Sequence, residues 1–330
     1  MYYIHNLFRI IEKKTNSIDR VLRSNLKLKH LQLIVALDQL RHLGKTAEFL
    51  AITQPAVSKT LAEIERMFEH TLFNRSTRGT EPTLYGESVI RFAKKVLSEF
   101  ERTKEELEDT LTGASGKINV GVMVVAMPTL LSPAIARLKK ASSNTRIFVE
   151  EGDLNRLLPR LRSGELDLLV GRLEPGYAAP DLKTEMLYGQ TMCLVVNTSH
   201  ALAKKRKVSW QDLAHSAWVV PPAWASSRTK LIQAFYQQGL NPPNNLIETA
   251  SFLAIFDAII DQGAVGFVAQ EIGIHFQKKR LFKILPLALN MDLPPVGIIT
   301  LHSQRVSLAT QSLITFLRNL AKEKAQTESA

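Results

Sequence analysis

The sequence predicts an α/β protein with an N-terminal winged helix-turn-helix, a long linker helix and two small C-terminal α/β subdomains. Three observations lead there. Residues 26–67 carry a dense helical pattern with a well-signalled helix start at Thr53-Gln54-Pro55. Residues 84–111 form one long amphipathic run. From residue 117 onward the rhythm changes to alternating strand and helix patterns. The 330 residues are 45% hydrophobic, enough for real cores, and at about 100–200 residues per domain they suggest two or three domains.

The elements follow in order. Residues 30–40 place Leu31, Ile34, Val35 and Leu37 on one helical face, and residues 46–50 are a second short helix. The third helix, to about residue 68, starts with Thr53 as N-cap and Pro55 in the first turn, where a missing N–H costs nothing. Val57, Leu61 and Ile64 make its core stripe, which leaves Gln54, Ser58, Lys59 and Arg66 facing outward. Residues 72–83, with Gly79, Pro82 and two arginines, read as a turn or short hairpin. On the long run, Val89, Phe92, Val96, Phe100, Thr103, Leu107 and Leu111 recur at spacings of three and four among charged residues. That is a seam that needs a partner helix, so a dimer is expected. Residues 113–116, GASG, end the helix as a hinge. Strand patterns follow at 118–125, 146–150, 167–170, 192–196, 218–220, 265–269 and 296–301, separated by helical patterns such as 130–140, 154–162, 229–238 and 252–261. This predicts largely parallel sheets.

The order of short helix, tight turn, capped helix, basic turn and long helix is a winged helix-turn-helix, whose second helix enters the major groove. Its chemistry fits. Gln54 and Ser58 suit base edges, and Pro55 suits a thymine methyl. Lys59, Arg75, Arg78 and the N–H groups after Thr53 suit phosphates.

The stretch TQPAVSKTLAEIE resembles the recognition helix of the LysR-type transcriptional regulators, and TLFNRSTRGTEPTLYGE resembles their wing and linker start. LRSGELDLLVGR and VGFVAQEIG are similar to sheet segments of that family's effector domain. The resemblance spans about residues 26–320. It implies a homodimer or homotetramer that binds double-stranded DNA near a promoter, with RNA polymerase as a further partner. It also implies a C-terminal domain resembling periplasmic solute-binding proteins, where a small-molecule effector sits in a cleft and shifts the population of DNA-bending states. The chain then divides into a 1–25 extension, a 26–83 DNA-binding domain, an 84–116 linker with hinge, and a 117–330 effector domain. The latter has one subdomain of about 117–190 plus 296–330 and another of about 191–295.

Two departures stand out. His42 occupies a position that opens with Ser or Thr in the family, which predicts a weaker cap. The loop after the first effector-domain strand, residues 123–126 (MVVA), is apolar. Effector contacts are therefore expected from Val124 and Val125 and from other strand-end loops. These loops supply Arg172, Trp224, Ser227, Arg228, Ser251 and Phe252. The helix starts among them suit anions, and an arginine can hold a carboxylate bidentately.

The net charge of +11 favours an anionic partner. It is not confined to the head. Residues 1–82 carry 13 Lys/Arg against 8 Asp/Glu, whereas residues 117–330 carry 24 against 16. The lone Cys193 excludes an intramolecular disulfide and, within an apolar run, reads as structural. Metal-ligand spacings, phosphate-binding loops and nucleophile elbows are missing, so neither an enzyme nor a cofactor is expected. Residues 1–14 hold no apolar run of signal-peptide length, and a cytoplasmic location is expected.

Overall fold

A computed structural model describes residues 21–76, 79–112, 116–289, 291, 293–303 and 306–328. The N-terminal extension up to residue 20, Arg78 and most of the GASG hinge lie outside the described residues. The chain falls into two compact units that divide between Gly113 and Ala114, with Arg162–Glu165 grouped apart from the second.

The first unit is built from α1 (Leu28–Leu40), α2 (Leu43–Phe49), α3 (Gln54–Phe68), a hairpin of β1 (Phe73–Ser76) and β2 (Gly79–Pro82), and α4 (Leu84–Thr112). Its core gathers Leu33, Ile34 and Leu37 of α1 with Val57, Leu61 and Ile64 of α3. Val89, Ile90 and Ala93 of α4 join them, and so does Val21 from the end of the extension. Burial of each such side chain is worth roughly 1.5–3 kcal/mol.

Local polar contacts fix the turns. Thr53 caps α3, its hydroxyl accepting from the Ala56 N–H at 3.4 Å. His42 does cap α2, contrary to the expected weak start: its Nδ1 accepts from the N–H groups of Gly44 (3.1 Å) and Lys45 (3.4 Å). A neutral imidazole offers one acceptor nitrogen, which is all the cap needs. Glu65 of α3 accepts from the N–H groups of Leu72 (2.8 Å) and Phe73 (3.2 Å), tying the hairpin to α3. Thr80 donates its N–H to the Arg41 carbonyl at 2.9 Å, tying it to the end of α1.

The second unit holds two five-stranded sheets. The first runs β4 (Arg146–Glu151), β3 (Lys117–Val122), β5 (Leu168–Arg172), β12 (Leu293–Leu301), β6 (Leu182–Gln190). The second runs β11 (Phe282–Ile284), β7 (Met192–Asn197), β10 (Val265–Ala269), β8 (Trp218–Val220), β9 (Leu246–Glu248). Helices α5 (Ser132–Ala141), α6 (Leu154–Arg162), α7 (Trp210–Ala214), α8 (Ser226–Gln237), α9 (Phe252–Ile260), α10 (Gln270–Lys278) and α11 (Leu308–Glu328) complete the unit.

The sheets are mixed, not largely parallel. β3 pairs β4 and β5, and β8 pairs β9 and β10, in parallel. β12 and β7 each pair both of their neighbours antiparallel. The cause is connectivity. The chain crosses from the first sheet to the second at Thr191 and returns between β11 and β12, so β7 and β12 enter against the direction of the parallel strands. The expected strand at 118–125 ends at Val122, and Val124–Ala126 is a 3₁₀ turn.

Candidate functional site

In the first unit, the described residues singled out for DNA gather around α3. Thr53, Gln54, Pro55, Lys59 and, on the hairpin, Arg75 are exposed, while Ser58 is half-buried. Gln54 lies over the first turn of α2: its Oε1 is 3.8 Å from where a Cβ on Gly44 would stand. The α3 start therefore presents a cap, an amide and N–H groups together. Arg78 lies outside the described residues.

The seam residues separate into two groups. Val89 is only 7% exposed and, with Val96 beside it, packs within the head's own core, so the stripe is not one continuous free face. Phe92 (36%), Phe100 (46%) and Leu107 (63%) stay exposed. The early turns of α4 are occupied by α1; the later ones are not.

In the second unit, a cavity of ≈ 450 Å³ lies at the carboxyl ends of the parallel strands, where ligands of α/β domains sit. Val124, Val125, Arg172, Trp224, Ser227, Ser251 and Phe252 all line it. Backbone bonds set the strand-end loops: Met123 N–H to Val170 (2.9 Å), Gly152 N–H to Val122 (3.1 Å) and Thr249 N–H to Val220 (3.1 Å). The walls are apolar, from Met123, Met192, Ile255, Phe267 and Ile272, and the exposed Trp224 stands at the mouth.

Arg172 is the cation of this cavity. Its Nε donates to Gln190 Oε1, and its Nη2 lies 3.6 Å from Met192 Sδ. Among the described residues no carboxylate is within ion-pair distance of it. Burial pulls its pKa below the usual arginine value, opposed by the more distant charges of Glu174 and Glu271. Two helix N-termini face the same space. α8 begins at Ser226 with no side-chain cap, and its buried Ser227 has no hydroxyl partner among the described residues. α9 begins after Ser251, whose hydroxyl accepts from the Ala254 N–H at 3.4 Å. A guanidinium, two positive helix ends and a spare hydroxyl in an apolar cavity suit a carboxylate.

Arg228, expected at the effector site, is placed elsewhere. It does not line the cavity: one residue beyond Ser227 on α8, it is turned aside, 3.9 Å from the Glu248 carboxylate. Gln190, which orients Arg172, was missed because β6 was not read as a strand. The rim groups Glu151, Asp153 and Arg156 were missed too, although they follow a legible strand. Asp153 caps α6, accepting from the Arg156 N–H at 3.0 Å, and Arg156 pairs with Glu150 at 3.0 Å. Cys193 is buried, and burial pushes its thiol up to about 12, so no reactive thiolate forms near neutral pH.

Two family profiles match this chain. Residues 28–87 match the bacterial regulatory helix-turn-helix protein, lysR family, and residues 112–322 match the LysR substrate binding domain. The HTH-type transcriptional regulator GbpR of Azospirillum brasilense is 31% identical over 92% of this chain and 89% of its own. The HTH-type transcriptional regulator GalR of Pseudomonas putida is 26% identical over 90% and 75%. The solved structure of CbnR, a LysR family transcriptional regulator, superposes with a TM-score of 0.67 at 14% identity, covering 90% of this chain and 99% of that one. CbnR in complex with its target DNA also gives 0.67 at 14% identity, covering 89% and 100%.

Proposed function

This chain belongs to the LysR family of transcriptional regulators, DNA-binding proteins with an effector-binding domain, and from that premise we propose which residues do the work and what kind of effector it answers to. The effector is an organic anion. Its carboxylate pairs with Arg172 and the N-termini of α8 and α9, and its apolar body fills the space between Met123, Phe252 and Phe267. The observation that carries this reading is an arginine without a carboxylate partner among the described residues, set between apolar walls, with the charged Glu151, Asp153 and Arg156 at the rim. Burying such a cation is costly until an anion joins it. Titration of the purified protein with a panel of small carboxylates and neutral isosteres, followed by melting temperature, tests it. Carboxylates should stabilise and their amides should not; equal effects from both would overturn the reading.

DNA is held by the start of α3, with Thr53, Gln54, Pro55 and Ser58 towards bases and Lys59, Arg75 and Arg78 towards phosphates. Replacing Ser58 and Lys59 together with alanine is expected to weaken binding to the DNA upstream of the chain's own gene by ~10- to 100-fold, one base contact and one phosphate contact being worth about 1–3 kcal/mol. The melting temperature should not change. Undiminished affinity in fluorescence anisotropy would mean that α3 is not the recognition helix.

The assembly is a homo-oligomer whose seam is Phe92, Phe100 and Leu107, since Val89 and Val96 serve the head's core. Phe100→Glu with Leu107→Glu should convert the protein to monomers in light scattering without lowering the stability of the head. A variant that keeps the wild-type mass would place the interface elsewhere. The 26–83, 84–116 and 117–330 division and a cytoplasmic site of action belong to the same reading. Among the described residues no helix is long and apolar enough to cross a membrane.

A further inference from the structure

The basic surplus beyond residue 117 is not absorbed by Arg172. Much of it collects at the end of the second sheet that lies away from the effector cavity. There β7 ends at Asn197, and β8, β9, β10 and β11 begin at Trp218, Leu246, Val265 and Phe282, with Phe282 in register with Asn197. Two cationic runs lie in the connections at this end. One is Lys204-Lys205-Arg206-Lys207, in the loop after β7. The other is Lys278-Lys279-Arg280, where α10 gives way to the neighbouring β11. All seven are exposed. Lys205 is paired with Asp212 at 2.7 Å. The other six have no carboxylate within ion-pair distance among the described residues, and Lys279 Nζ lies 5.6 Å from the centre of the Phe276 ring.

We propose that this end of the second sheet is a phosphate-binding face that contacts the DNA backbone beside the sequence held by the helix-turn-helix, from the same or a neighbouring protomer. The proposal rests on the DNA-binding reading of α3. Charge density favours DNA over an acidic protein surface. A protein interface needs buried apolar or aromatic anchors, whereas among the described residues the exposed large hydrophobics at this end are two, Leu281 beside Arg280 and Tyr236 at the end of α8, against seven exposed cations. Unpaired, solvated lysines and arginines are what a phosphate lattice recruits by releasing counterions. A protein already docked by its head meets flanking DNA at high effective concentration, so individually weak phosphate contacts add to the whole.

The test uses the full chain and a long random-sequence duplex, so that its outcome does not depend on knowing the operator. Wild type is compared with a variant carrying Lys204→Gln, Arg206→Gln, Lys207→Gln, Lys279→Gln and Arg280→Gln. A second variant, with Lys204→Glu, Arg206→Glu and Lys207→Glu alone, confines the change to one exposed loop. Each phosphate contact contributes about 0.9 to the slope of log affinity against log salt, so the first variant should lower that slope by ~3–5 per chain, with affinity at low salt down by ~10-fold or more. Both variants should keep the wild-type melting temperature and anion binding. An unchanged slope in both would overturn the proposal. So would an unchanged slope accompanied by loss of transcription with purified RNA polymerase, which would assign the face to an acidic protein. Failure of the α3 reading would show separately, as undiminished upstream-DNA preference in the Ser58 and Lys59 variant.

Discussion

Replacing Arg172 with leucine is expected to abolish stabilisation by organic anions while leaving the free protein as stable as before or more so. The two halves of that result come from one fact. In the free protein the guanidinium is held by Gln190 and Met192 but has no carboxylate partner. Removing the desolvated cation relieves its burial cost, which offsets the ~1–3 kcal/mol of leaving the buried Gln190 Oε1 without its donor. With ligand bound, the same substitution leaves a carboxylate in an apolar cavity with only helix N-termini to answer it. Truncating one partner of a buried, hydrogen-bonded charge pair costs about 2–5 kcal/mol, a loss of ~30- to several thousand-fold in affinity. Lysine should not rescue it, because its single ammonium lacks the planar fork that binds two carboxylate oxygens at once. Calorimetry with the carboxylate that most stabilises the wild type decides the matter. Wild-type affinity in Arg172→Leu would remove the guanidinium from the site and leave the α8 and α9 N-termini as the only anchors.

The legibility of this protein follows its periodicities. α3 was visible because Thr53, Pro55 and the Val57–Leu61–Ile64 stripe are all local signals. The strands at 218–220 and 265–269 were read within their bounds because every residue in them is buried on both faces, which leaves an unbroken apolar run. β6 was not. It is an edge strand whose exposed positions carry Lys183, Thr184, Met186 and Gly189, and its pattern is fixed by pairing with β12 from over a hundred residues away. Missing β6 meant missing Gln190, and with it the reason why Arg172 points where it does. Arg228 shows the opposite failure. It follows a cavity residue on α8 and has the right chemistry, but one helical step turns a side chain by about 100°. Sequence alone gave no way to know which of the two arginines faced the space. Val89 is a related case: helical spacing shows that a face is apolar, not whether a partner chain or the chain's own α1 covers it, and here the head's own core buries it.

Gly86→Ala is expected to unseat the DNA-binding head. A Cβ on Gly86 would stand 2.0 Å from the Leu72 carbonyl oxygen, and backbone cannot swing aside as a side chain can. That carbonyl is also anchored from both sides. It accepts the Thr83 N–H at 2.9 Å, and Thr83 in turn accepts the Gly86 N–H at 3.0 Å, so the start of α4 is clamped against residue 72. Helix propensity pulls the other way, favouring alanine over glycine by about 1 kcal/mol. The steric term wins, because relief requires α4 to move off Leu72. Overpacking of that kind costs about 1–3 kcal/mol or more. The damage should propagate to recognition, since Glu65 of α3 holds the N–H groups of Leu72 and Phe73. The expected outcome is a lower melting temperature for the head and loss of specific DNA binding, with anion binding by the second unit intact. Gly176→Ala, where an added Cβ meets nothing within 4 Å, is the matched control and should change neither. If Gly86→Ala instead binds DNA as tightly as wild type and melts no earlier, the close approach of α4 to residue 72 is not what fixes the wing against the recognition helix, and Glu65 alone must do so.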